Sequence, residues 1–264
     1  MSEQPDETEA ETDAAVESGA TPDRREVSLV LLIPNMVTLM GLSFGLTAIR
    51  FAMEGHFSWA VFLIMLSALA DLFDGLLARR LGAQSEMGAQ LDSLSDFLCF
   101  GVAPAILVYE VHLHDFGGLG WIFALIFAVS ACLRLARFNV MSGQAEPGEE
   151  PKRYFVGVPA PAGALLGLFP VFLSYVGVLD AGQAPLLVCL WLAFVGALMI
   201  SKLHTPSPKG VKVPRRLVAV LFFAVVIGMG LVFTRPWVLL VVVDLAYLAV
   251  ILGALVKARG RLFG

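Results

Sequence analysis

Long apolar stretches separated by short polar breaks dominate the chain from about residue 28 onward. A helix needs about 20 predominantly apolar residues to cross the hydrocarbon core of a bilayer. The stretches that satisfy this requirement, some with polar interruptions, are 29–52, 58–79, 92–112, 119–138, 160–179, 184–202, 216–234 and 236–256. The pattern therefore predicts an all-α, polytopic membrane protein, a bundle of about eight transmembrane helices.

The breaks between these stretches carry turn residues, as in Glu54-Gly55-His56 and Asp180-Ala181-Gly182. Two connections are longer, at 139–159 and 201–216, and the second contains three prolines. Because proline interrupts a helix and irregular backbone is not tolerated against lipid, both connections are expected to lie outside the lipid-exposed helices.

The first 26 residues differ in kind, since they are acidic and lack aromatic side chains. Such a segment buries too little apolar surface to offset the entropy of ordering it. We predict a disordered tail at 1–26 and one transmembrane domain at 27–264. The tail has no basic region followed by an apolar one, so we do not expect a cleaved signal peptide.

Charge distribution predicts the orientation of the bundle. When the spans alternate sides from a cytoplasmic amino terminus, only Arg50 and Arg235 among the lysines and arginines fall outside the cytoplasm. Positive charge concentrates on the cytoplasmic side of membrane proteins. Both termini are therefore expected in the cytoplasm, and the protein in the cell (inner) membrane. The composition agrees, with 58% hydrophobic residues, 15% charged residues and a mean hydropathy of +0.82.

Four aspartates interrupt this apolar chain where the second and third spans meet. Asp71 and Asp74 fall on one helical face, together with small residues and Arg79. Asp92 and Asp96 follow one another at helical spacing on the next span. The two stripes can face each other across a tight turn at the cytoplasmic surface.

Carboxylates this close repel one another, and each ionised aspartate at membrane depth costs a few kcal/mol. Divalent cations relieve both problems, and oxygen ligands without His or Cys favour Mg²⁺ or Mn²⁺, with Ca²⁺ possible. The predicted ligands of two such cations are Asp71, Asp74, Asp92 and Asp96. The small residues beside them leave space for a bulky phosphorylated ligand.

The spacing D-x2-D-G-x2-A-R-x8-G-x3-D-x3-D, carried by Asp71 to Asp96, resembles the signature of the CDP-alcohol phosphatidyltransferases. These are integral membrane enzymes that attach an alcohol to the phosphatidyl group of a CDP-linked lipid and release CMP. Further stretches resemble the phosphatidylserine synthase branch: IPNMVTLMGLSFG at 33–45, RLARFN at 134–139, YFVGVPAPAGA at 154–164 and LMISKLHTPSPK at 198–209. Val158 departs from the leucine expected there.

The resemblance implies roles for particular residues. Asp71 and Asp92 would bridge two metals, Asp74 would hold the first, and Asp96 would hold the second and act as the catalytic base. The CDP-lipid would contact Asn35, Thr38, Gly75, Arg79 and Ser85. The acceptor or lipid phosphate would be met by Arg134, Arg137 and Asn139. The expected partners are CDP-diacylglycerol, L-serine and membrane lipids, with a homodimer and no nucleic acid.

Alternatives remain at this stage. The same chemistry with glycerol 3-phosphate, inositol phosphate or choline would use a similar site, with Lys152 and Arg153 enlarging its basic end. A cation-coupled transporter is a more distant alternative, and the chain lacks the inverted pair of broken helices typical of such proteins. Asp244, alone in the last span, is either functional or hydrogen-bonded to a neighbouring helix.

Overall fold

A computed structural model describes residues 29–83, 85–143, 154–180, 182–201, 204–206 and 215–257. The predicted acidic tail, as well as Lys152 and Arg153, lies outside these residues. The described helices are α1 (Leu29–Met53), α2 (Phe57–Leu81), α3 (Glu86–Asp96), α4 (Ala103–Val108), α5 (Gly118–Gly143), α6 (Ala160–Val176), α7 (Pro185–Ile200), α8 (Arg215–Thr234) and α9 (Pro236–Lys257).

Helices occupy each of the predicted apolar stretches. Among the described residues, five helical segments are long and apolar enough to cross a membrane: those of α1, α2, Glu86–Phe116, α5 and α9. α6 and α7 are shorter apolar helices. The membrane class is therefore confirmed by length and composition, whereas the count of eight crossings and the side of the termini stay predictions.

Two features depart from the sequence prediction. The third helical segment begins at Glu86, six positions before the expected 92, because Ser85 caps it: its hydroxyl accepts the backbone N–H of Gly88 at 3.0 Å. A short antiparallel ribbon also forms from β1 (Tyr154–Val156) and β2 (His204–Pro206), with Phe155 opposite Thr205. The ribbon joins the two long connections, so the fold is helical with one small strand pair.

The segment Glu86–Phe116 is not a uniform α-helix. A π-helical turn, Phe97–Val102, follows Asp96 directly and separates α3 from α4. Within it the backbone N–H of Ala103 donates to the carbonyl of Leu98, five residues earlier. A second π-helical turn spans Tyr109–Leu113. Such wide turns are rare and occur often at functional sites.

Helix α1 packs along α2 and crosses α3 and the first π-helical turn. The approach is close at Gly45, where an added Cβ would lie 2.5 Å from the Cys99 sulfur. The largest core cluster lies deeper in the bundle and contains Leu107, Phe127, Phe172 and Leu192. A smaller cluster, with Phe100, Leu135 and Ala164, supports the end of the bundle that carries the aspartates.

Candidate active site

The aspartates predicted to face one another do so across the junction of α2 and α3. Helix α2 ends at Gly82, whose φ of +60° suits glycine and whose N–H donates to Ala78. Three residues later Ser85 starts α3. This short reversal brings one carboxylate oxygen each of Asp71, Asp74 and Asp92 within 4.8 Å of one another.

The aspartate face of α2 points into the bundle, and the opposite face points outward. Asp74 is 4% exposed, whereas the neighbouring Leu72 and Phe73 are 55% and 51% exposed. Large apolar side chains are therefore available to lipid while the carboxylates are withdrawn from it. This is the division that the helical spacing of the sequence predicted.

Thr38 fixes the position of Asp74. Its hydroxyl lies 2.6 Å from Asp74 Oδ2 and 3.1 Å from the carbonyl of Pro34, one turn back in α1. Both Thr38 and Asp74 are buried. In the structure this side chain orients a carboxylate, and the nucleotide contact that the resemblance implies for Thr38 stays a prediction.

Asp96 does not belong to the 4.8 Å group but lines the same small cavity. The cavity wall combines the four aspartates with small polar and apolar side chains: Thr38, Gly41, Ser67, Asp71, Asp74, Asp92, Ser95, Asp96, Cys99 and Phe100. Ser67 and Ser95 are not among the site residues predicted from the sequence. Ser67 lies one turn before Asp71 on the same helical face, so its spacing from the aspartates could have placed it in the site.

No described cation lies close enough to the aspartate group to form an ion pair with it. None of Asp71, Asp74, Asp92 and Asp96 forms an ion pair with a described Lys, Arg or His. Clustered carboxylates at membrane depth need compensation. Three convergent oxygen donors with no nitrogen or sulfur ligand fit a hard divalent cation, and the residues present could hold one.

Glycines keep the space beside the aspartates open. A Cβ at Gly75 would meet nothing closer than Arg79 Nη2, at 3.9 Å. A Cβ at Gly88 would instead lie 2.8 Å from Asn35 Oδ1 and 3.0 Å from Ser85 Oγ. Gly88 therefore lets the side chain of Asn35, on α1, lie against the start of α3.

Apart from the buried Thr38, the residues predicted to contact a CDP-lipid lie near these two glycines. Asn35 and Ser85 flank Gly88. Arg79 is exposed, and its Nε donates to the carbonyl of Gly75 at 2.9 Å. This bond uses one guanidinium nitrogen and leaves Nη1 and Nη2 to meet a phosphate.

The three residues predicted to meet the acceptor lie toward the carboxyl end of α5, in different environments. Arg137 donates to the carbonyl of Ile200 at 2.5 Å and so caps the end of α7. Asn139 donates to the hydroxyl of Ser93 at 2.9 Å and ties α5 to α3 beside Asp92. Both side chains therefore have structural partners.

Arg134 differs from these two residues. Its Nε is buried and has no hydrogen-bond partner among the described residues. The guanidinium lies 5.8 Å from the ring centre of Phe138 and within electrostatic range of Asp96. Of the three residues, Arg134 is the one that faces the aspartates with hydrogen-bond donors to spare.

Known proteins resemble this chain over most of its length. Residues 31–200 match the family described as CDP-alcohol phosphatidyltransferase. A Mycobacterium leprae protein named CDP-diacylglycerol–serine O-phosphatidyltransferase is 37% identical over 229 residues, 85% of this chain and 74% of that protein. Proteins of the same name from Helicobacter pylori and Bacillus subtilis are 32% identical over 210 residues and 34% identical over 177 residues. The Helicobacter pylori match covers 80% of this chain and 85% of that protein. The Bacillus subtilis match covers 67% of this chain and 91% of that protein.

The matched region contains all four aspartates and both helices that present them. This chain belongs to the CDP-alcohol phosphatidyltransferase family.

Proposed function

We propose that the protein is a CDP-diacylglycerol–serine O-phosphatidyltransferase, which transfers the phosphatidyl group of CDP-diacylglycerol to L-serine and releases CMP. The observation that carries the proposal is the convergence of Asp71, Asp74 and Asp92 within 4.8 Å. Family membership supplies the phosphatidyl transfer, and the names of relatives that are 32% to 37% identical supply serine as the acceptor.

Asp71, Asp74 and Asp92 would hold divalent cations, which we infer to be two Mg²⁺ or Mn²⁺ ions with Asp96 completing the second set. When bound, such ions neutralise the negative charge of a diphosphate and of the departing phosphate. Thr38 supports this role, since its bond to Asp74 fixes a carboxylate that would otherwise rotate.

Asp96 would remove the proton of the serine hydroxyl while the serine oxygen forms a bond to the phosphorus attached to diacylglycerol. The phosphorus–oxygen bond to CMP breaks in the same transfer, and CMP leaves with that bonding pair. Asp96 lines the cavity one helical turn beyond Asp92. It therefore lies beside Asp71, Asp74 and Asp92 but outside the group whose oxygens are within 4.8 Å of one another. A general base needs this position, near the reacting phosphorus with an oxygen to spare.

The cytidine diphosphate would lie over the glycine-lined edge, against Asn35, Gly75, Arg79 and Ser85, with Thr38 contributing through Asp74. Open space at Gly75 and the unused nitrogens of Arg79 support this placement. Arg134 would bind the carboxylate of serine, because its buried Nε lacks a partner in the described part of the chain. Arg137 and Asn139 would hold the surrounding helices in place.

The aspartates lie at the end of the bundle where lysines and arginines concentrate in the sequence, which supports a site that opens to the cytoplasm from the inner membrane. We also expect a homodimer. Cross-linking in native membranes and accessibility of single engineered cysteines in sealed vesicles test these two inferences separately.

The function is tested with the purified full-length protein, CDP-diacylglycerol, and Mg²⁺ or Mn²⁺, measuring CMP and the lipid product together. Serine should give one phosphatidylserine for each CMP, and Asp71→Asn should abolish both. Asp115→Asn, in the connection between α4 and α5, is the matched control and should keep full activity. Turnover with glycerol 3-phosphate, inositol phosphate or choline but not serine would refute the serine assignment. Cation-driven uptake into vesicles without CMP release would refute the transferase.

A further inference from the structure

Helix α9 lies outside the region that matches the family and carries a carboxylate that the proposed chemistry does not use. Asp244 is 1% exposed, and its Oδ2 has no hydrogen-bond partner among the described residues. A buried carboxylate without a partner is costly, particularly within a membrane helix, and is commonly functional. Its burial within the chain also makes it unavailable as a contact between two copies.

The face of α9 that contains Asp244 packs into the bundle. Ile251, two turns later on that face, is fully buried, and Tyr247, one turn after Asp244, is half-buried. Helix α9 packs mainly against α6. Asp244 and Tyr247 therefore form one polar stripe on an otherwise apolar helix, directed inward.

This stripe reaches the acceptor end of the candidate site through Arg134. The Arg134 guanidinium lies within electrostatic range of both Tyr247 and Asp96. Asp244 lies about 4.5 Å deeper along the helix axis than Tyr247. Tyr247 thus has two neighbours with an unpartnered buried atom: Arg134, through Nε, and Asp244 one helical turn away, through Oδ2.

Unpartnered groups of opposite charge that share Tyr247 as a neighbour complement a small zwitterion. A guanidinium binds a carboxylate, and a carboxylate beside a tyrosine binds an ammonium group. We propose that Asp244 and Tyr247 form the ammonium end of the acceptor subsite, opposite Arg134. Helix α9 thereby selects acceptors that carry both an amino and a carboxyl group. The inference rests on the proposed serine transferase function and deepens it.

The experiment separates the two charges of serine. We measure the KM for L-serine and the inhibition constants of 3-hydroxypropionate, which lacks the amino group, and of ethanolamine, which lacks the carboxylate. Asp244→Asn should raise the serine KM and the ethanolamine inhibition constant at least 10-fold. The 3-hydroxypropionate constant and the KM for CDP-diacylglycerol should stay unchanged.

Matched controls exclude a general effect. Asp180→Asn makes the same change at an exposed carboxylate that accepts a bond from Gln183, and should alter none of these constants. Tyr247→Phe should raise the serine KM several-fold without affecting 3-hydroxypropionate. Tyr175→Phe, at a hydroxyl bonded to Ser58, should not affect the serine KM.

The outcomes distinguish this inference from the proposed function. An unchanged serine KM in Asp244→Asn, or a parallel rise in the 3-hydroxypropionate constant, overturns the ammonium role while leaving the transferase intact. If Asp244→Asn does not fold, the serine KM and the 3-hydroxypropionate inhibition constant of Tyr247→Phe decide the question. A wild-type protein that transfers to another alcohol but not to serine overturns the proposed function, and this inference with it.

Discussion

Replacing Thr38 by Val tests whether a hydroxyl on α1 positions a cation ligand on α2. The substitution keeps the shape of the side chain and removes the donor that lies 2.6 Å from Asp74 Oδ2. Both residues are buried, so water does not readily replace the lost bond. Asp74 then loses the contact that fixes its orientation toward Asp71 and Asp92.

A hydrogen bond to a charged group contributes about 1.5–3 kcal/mol. Since about 1.4 kcal/mol corresponds to a factor of ten in a binding constant, the change is equivalent to roughly 10- to 150-fold. We expect the concentration of Mn²⁺ or Mg²⁺ that gives half-maximal activity to rise by at least about 10-fold in Thr38→Val. The KM for CDP-diacylglycerol at saturating cation should change little.

The assay is CMP release from CDP-diacylglycerol, titrated with the cation and then, at saturating cation, with the lipid. Thr38→Ser should restore the cation dependence, because it returns the donor. Thr47→Val is the matched control: its hydroxyl bonds the carbonyl of Ser43 on the same helix at 2.7 Å and reaches no aspartate. A normal cation dependence with a raised lipid KM would refute this reasoning and assign Thr38 to the nucleotide instead.

Three further predictions concern individual positions. Asp96→Asn should keep CDP-diacylglycerol binding and lose at least about 10²-fold in turnover, and near-normal turnover would remove it from the role of base. Gly88→Ala places a Cβ 2.8 Å from a neighbouring amide oxygen and should raise the KM for CDP-diacylglycerol, whereas Gly118→Ala, with nothing within 4 Å, should not. Arg134→Lys should raise the serine KM. Arg137→Ala should leave the serine KM unchanged and lower the thermal unfolding temperature in detergent. A raised serine KM in Arg137→Ala with an unchanged one in Arg134→Lys would contradict the environments assigned to the two residues.

Spacing in the sequence was sufficient to predict the facing aspartates. Asp71 and Asp74 on one helix, and Asp92 on the next, are related by helical periodicity and a short turn, which are local properties. The division of α2 into an aspartate face and an apolar face followed from the same periodicity. Membrane class followed from composition alone.

Contacts between helices distant in the chain could not be predicted in this way. The bond from Thr38 to Asp74 joins residues 36 positions apart. It depends on the relative height and rotation at which α1 and α2 pack together. Likewise Arg134 and Arg137 are one turn apart with the same charge. Only the position of Ile200 at the end of α7 shows that Arg137 caps a helix and Arg134 does not.

The π-helical turn at Phe97–Val102 has a consequence for how the protein tolerates changes in length. A wide turn holds one residue more than an α-helical turn, and each residue rotates a helix by about 100°. Deleting a single residue there would close the wide turn to an α-helical one, so Asp92, Asp96 and α4 would keep their side-chain directions. The turn can therefore absorb a change of one residue in length between the aspartates and the helices that support them.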